Sequence, residues 1–129
     1  MRRDMDLIRE LMLKLEAMPY SLGVVHELPP GEGMMTFDGY SSDEIAYHLE
    51  LLIEASYLVT AGGNMGGDTY FERLSVAGHD FVDSVRSPEV WAKTKKGAEA
   101  AGGFTVDLLK DLAKGFIKKQ IEDMTGVKL

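Results

Sequence analysis

Cysteine is absent from this 129-residue chain, which removes disulfides, thiolate metal sites and a cysteine nucleophile together and fits a reducing compartment. No apolar run approaches the roughly 18 residues of a membrane span, and the opening Met-Arg-Arg-Asp-Met-Asp is charged. Neither a signal peptide nor a transmembrane helix is expected, and a soluble, cytoplasmic protein is. Positive charge is scarce over most of the length. Residues 1–85 hold five Lys/Arg against fifteen Asp/Glu, a balance of −10, whereas residues 86–129 hold nine against six, or +3. A phosphate-binding surface needs basic residues, so nucleic-acid binding would have to lean on the C-terminal third.

What is present fits one domain over 1–129, since 45% hydrophobic residues in a chain of this length suffice for a single core. The best-specified stretch is Ser41 to Val59. Ser41 and Glu44 form a capping box that starts a helix at Ser42. Ile45, Leu49, Leu52, Ile53 and Ser56 fall within about a third of the helix circumference and predict a buried face. The opposite face carries Asp43, Glu44, Tyr47, Glu50, Leu51 and Glu54, acidic with two apolar residues four apart.

Taken in order, Asp4 to Met18 predicts a first helix, with Asp4 as N-cap and Pro19 as stop. The Pro- and Gly-rich residues 20–40 exclude a helix of useful length and leave short extended pieces at Gly23–Leu28 and Met34–Phe37. After the central helix, Tyr57–Thr60 and Tyr70–Val76 predict a β-hairpin around a Gly-rich tip. A short helix around His79 to Arg86 should follow the turn at Gly78. Ser87-Pro88-Glu89 starts another helix running to about Ala101, and Thr105 caps a last one with a broad apolar face from Val106 to Ile121, closed by Gly126.

The order helix, capped helix, hairpin, helix resembles the second half of a winged helix-turn-helix, in which the helix before the wing reads DNA. Tyr47-His48-Leu49, Leu52, Glu54-Ala55 and Leu58-Val59, followed by Leu74-Ser75-Val76-Ala77-Gly78-His79-Asp80-Phe81, are similar to the signature of bacterial winged-helix regulators. With Arg3-Asp4-Met5-Asp6-Leu7-Ile8-Arg9, Arg86, Val90-Trp91-Ala92-Lys93-Thr94-Lys95 and Gly102-Gly103, nearly the whole chain resembles an uncharacterised family of short bacterial and prophage proteins, number twenty-five thirteen of the domains of unknown function. The resemblance implies a winged-helix-like fold and carries no activity or catalytic residue. Two departures oppose groove reading. No short helix precedes the central one, and that helix offers no Lys or Arg, the residues that dominate base and phosphate contacts.

Each remaining chemical feature has an ordinary reading that outweighs a special one. His26, His48 and His79 form no ligand pair such as His-x-x-x-His and are read as polar, partly buried residues. His79-Asp80 suits helix capping better than acid/base work. Residues 62–67 lack the Lys-Ser/Thr ending of a phosphate loop and are read as the wing tip. Trp91 with Lys93, Lys95 and Lys96 could form a basic-aromatic patch, but helical spacing favours a buried Trp with a solvated lysine rim.

The fold class expected is therefore α+β, winged-helix-like, with a core over 1–86 and a C-terminal helical extension over 87–129. The expected role is that of a non-enzymatic regulatory or adaptor protein of prophage type, with no cofactor or metal. Tyr47, Leu51 and Phe116 are the candidate protein contacts, and a homodimer through the C-terminal helices is the expected assembly. The alternative is a DNA-binding regulator using Arg73, Lys93, Lys95 and Lys96.

Overall fold

The computed structural model describes residues 1–62, 68–102 and 105–129. The predicted hairpin tip at 63–67 and the second half of the predicted Gly102-Gly103 stop lie outside the described residues. Among those described, the chain is α+β: five α-helices and a three-stranded antiparallel sheet. The helices are α1 (Met5–Glu16), α2 (Ser42–Glu54), α3 (Val76–Val85), α4 (Pro88–Ala101) and α5 (Val106–Thr125), and the strands are β1 (His26–Leu28), β2 (Leu58–Thr60) and β3 (Thr69–Leu74). The chain divides into two compact units, Met1–Asp80 and Phe81–Leu129.

In the first unit, the helix signals act as the residues dictate. Asp4 caps α1 by accepting from the Leu7 amide. Ser41 and Glu44 complete the reciprocal capping box at the start of α2. The apolar stripes of both helices close on one another and on the sheet, with Leu7, Ile8, Leu11, Met12, Leu15, Ile45, Leu49 and Leu52 all at 1% exposure or less. Each such side chain contributes roughly 1.5–3 kcal/mol of transfer free energy, so this joint is the main source of the unit's stability.

The end of α2 departs from expectation. Ser56, predicted on the buried stripe, is exposed and adopts φ 62°. The Tyr57 amide donates to the Leu52 carbonyl and the Ser56 amide to the Ile53 carbonyl. This is a Schellman terminus, which needs a left-handed residue at the position Ser56 occupies. The turn breaks the helical spacing one residue before the stripe would have continued.

β2 and β3 pair antiparallel as predicted, and β1 adds to the far side of β3, giving the order β1-β3-β2. The register puts Val59 opposite Arg73 but Thr60 opposite Phe71, so Glu72 is an extra residue in the ladder. This bulge re-aims the strand. Thr69, Phe71 and Leu74 are buried while Tyr70 is exposed, where strict alternation places Tyr70 with Leu74. Val76, predicted to end the strand, instead begins α3 and is 77% exposed, because Ser75 turns the chain and its hydroxyl accepts from the Gly78 amide. The extended piece expected at Met34–Phe37 is replaced by a 3-10 turn at Gly33–Met35, and β1 uses only the last three residues of Gly23–Leu28.

In the second unit, Ser87 caps α4 with Pro88 in its first turn, and Thr105 caps α5. Gly102 and Gly126 end the two helices in the left-handed conformation. α4 and α5 run antiparallel, since Gly97 faces Leu112 while Val90 and Lys93 share a groove with Phe116. Trp91, Thr94 and Ala98 are buried along one face of α4, whereas Ala101 is exposed. No described helix is long and apolar enough to cross a membrane.

Candidate functional site

α2 holds both polar features of the first unit. Its inner edge carries His48, which is fully buried. The Asp4 amide donates to His48 Nε2 at 2.8 Å, so that nitrogen is unprotonated and Nδ1 donates to the Glu44 carbonyl at 2.7 Å. The Tyr40 hydroxyl donates to Asp4 Oδ2 at 2.8 Å. Burial first, and the Asp4 carboxylate second, push the Tyr40 phenol up to about 12. Both nitrogens of His48 are committed to backbone groups, so the ring ties the start of α1 to the start of α2 and is not poised to accept a substrate proton. Asp4 was legible as a cap, but its links to Tyr40 and His48 cross 36 and 44 residues and leave no local signal.

The outer face of α2 is the acidic face read from the sequence. Asp43, Glu50 and Glu54 are exposed, and Tyr47 and Leu51 are half-buried. The Tyr47 ring meets His48 edge-on at 5.6 Å between centroids. A second acidic group lies at the β1 end of the sheet. There Glu27 is raised above the ordinary carboxyl range, first by its hydrogen bond to Asp68, then by the charge of Asp68, with lesser contributions from burial and Glu32. The apolar segment just before β1 was not foreseen: Tyr20, Leu22, Val24 and Val25 are 55%, 90%, 46% and 41% exposed. Its Val-Val pair reads as strand-forming, so only exposure in the fold reveals it.

The predicted basic residues are distributed over both units. Arg73 is exposed on β3 in the first, where its guanidinium donates to the Leu74 carbonyl at 3.1 Å. Lys93, Lys95 and Lys96 are on α4 in the second, around a shallow concavity of about 370 Å³ shared with Ala92 and Glu99. Lys93 and Lys96 are exposed, and Lys95 is half-buried one helical turn from Trp91, which is 6% exposed and on the opposite side of the helix from Lys93. Phe116 is half-buried on α5, where it lines a groove of about 420 Å³ with Val90, Lys93 and Lys119. Tyr47 and Leu51 are thus neighbours on one helix face of the first unit, and Phe116 belongs to the second unit.

His79 and Asp80 are both exposed within α3, and the cap of that helix is Ser75. The capping role expected of His79-Asp80 is corrected accordingly. Gly78 has a different reason to be glycine. A Cβ there would collide with the Tyr57 carbonyl oxygen. Among the described residues, no three His, Asp or Glu side chains converge as metal ligands.

Comparison with known proteins agrees over most of the chain. A family model described as "Hypothetical protein (DUF2513)" matches residues 2–104. A Haemophilus influenzae protein described as "Uncharacterized protein" is 28% identical over 124 residues, covering 94% of this chain and 99% of the relative. No solved structure matches.

Proposed function

This chain belongs to the DUF2513 family, and from the surfaces its fold presents we propose that it is a small non-enzymatic regulatory or adaptor protein of prophage type, working in the bacterial cytoplasm through protein contacts. A winged-helix-like arrangement is part of this reading, supported by the capped helix α2 leading into the antiparallel hairpin β2–β3. The observation that carries the proposal is the outer face of α2. It exposes Asp43, Glu50 and Glu54 around the half-buried Tyr47 and Leu51, and the helix contains no Lys or Arg. Such a face repels phosphates. To a basic, amphipathic protein segment it offers carboxylates for steering and an apolar pair for contact.

The three lysines on α4 favour a second reading, a DNA-binding regulator that uses Lys93, Lys95 and Lys96 with Arg73. A pull-down from the native host, with nuclease-treated and untreated arms, separates the two. Under the adaptor reading the same partners appear in both arms and are lost from the Glu50→Lys, Glu54→Lys double variant. Partners found only in the untreated arm, and retained by that variant, would overturn it in favour of nucleic acid.

A further inference from the structure

The apolar stripe of α5 changes character halfway along. Leu109 and Ala113 are fully buried, whereas Ile117, one turn further, is half-buried, Ile121 is 41% exposed and Met124 is 81% exposed. At 3.6 residues per turn, Ile117, Ile121 and Met124 lie within about 60° of one another. They form a continuous outward row over the last two turns. The fold uses the first half of this stripe and leaves the second half in solvent, where a contiguous apolar row marks a contact surface.

The charges beside that row identify its occupant. Lys118 and Glu122 are four residues apart on one flank of the row, basic before acidic. When two copies of the helix lie antiparallel about residue 120, Ile117 of one faces Met124 of the other and the two Ile121 side chains meet near the axis. Lys118 then faces Glu122 of the second copy, and Glu122 faces its Lys118, the reciprocity that a twofold interface demands. Lys114 falls beside the second copy's α5 terminus at Gly126, where the negative end of the helix dipole favours a cation.

We propose that the C-terminal half of α5 is a self-association surface, on which a second copy of this chain docks antiparallel through Ile117, Ile121 and Met124 with reciprocal Lys118–Glu122 pairs. This surface is built from other residues than the acidic face of α2, and the proposal stands whether or not that face binds a partner. A contact of this length sits near the lower limit of specific interfaces, about 1,000 Å² in total, so the dimer is concentration-dependent. Within one helix the order Lys before Glu is the weaker orientation of such a pair; Glu122 Oε1 accepts from the Leu129 amide at 3.0 Å, and a carboxylate has the capacity to accept from a second donor as well.

The full-length chain in sedimentation equilibrium, from low to high micromolar concentration, should shift from monomer to dimer mass. Ile121→Lys should weaken association by about tenfold or more, because it places like charges against each other at the axis. Lys118→Glu alone and Glu122→Lys alone should each weaken self-association in the same way. An equimolar mixture of those two variants should restore the dimer, since every facing pair then becomes opposite in sign. All three substitutions are at exposed or rim positions, and an unchanged circular dichroism spectrum would confirm that the variants fold. A monomer mass throughout, or a mixture no more associated than its components, would overturn the proposal.

Discussion

Tyr40 reports on the joint between α1 and α2 through one proton. Its hydroxyl donates to Asp4, and burial followed by that carboxylate raises the phenol from 10.0 to about 12. A phenolate there would be desolvated and set against Asp4, with Asp6 and Glu44 close enough to add repulsion. The folded chain therefore holds this proton to higher pH than the unfolded chain does. The associated stability is complete below pH 10 and is lost as pH rises from 10 to 12. Urea-denaturation midpoints should fall more steeply over that interval for the wild type than for Tyr40→Phe, which has no proton to lose. Parallel falls would show that the Tyr40–Asp4 bond does not couple to folding. The sequence marks Asp4 as a helix cap, and the structure keeps that role. It cannot mark the same residue as the meeting point of Tyr40 and His48, because those partners are distant in sequence and only the packed helices bring them within reach.

At the level of elements, two backbone positions should respond in opposite directions. Ser56 adopts φ 62° at the end of α2, a conformation that strains a residue with a Cβ. Ser56→Gly relieves that strain, partly offset by the greater freedom of glycine in the unfolded chain, and should stabilise by about 0.5–1 kcal/mol. Gly78 lies against the Tyr57 carbonyl with no room for a Cβ. Gly78→Ala must push α3 away from the strand and should destabilise by about 1–3 kcal/mol. Thermal melts of the two variants against wild type check both signs, and a stabilising Gly78→Ala or destabilising Ser56→Gly would refute the assignment. These sites also show where sequence reasoning ends. Helix starts were legible because Ser41, Ser87 and Thr105 act on amides three residues away. The bulge at Glu72 and the early start of α3 at Val76 depend on register and on the Ser75 turn. Strict alternation along Tyr70–Val76 would put Val76 with Leu74 and Phe71 on the opposite side, whereas Phe71 is buried with Leu74 and Val76 is exposed.

For the molecule as a whole, charge decides between the candidate roles. The acidic outer face of α2 was legible because helical period and residue type suffice to define it. What was not legible is the groove in which Phe116 lies against α4, because helical spacing alone does not show which turn of a neighbouring helix a side chain meets. The balance of −10 over residues 1–85 opposes phosphate binding, while Lys93, Lys95 and Lys96 lie in the stretch that carries +3. Fluorescence anisotropy of a labelled nonspecific duplex, titrated with the full-length protein at physiological salt, sets these terms directly against each other. The account predicts no saturable binding up to about 100 μM, the weak end of the usual nonspecific range. Micromolar binding that weakens steeply with added salt, and is reduced by combining Arg73→Ala with Lys95→Ala, would contradict it.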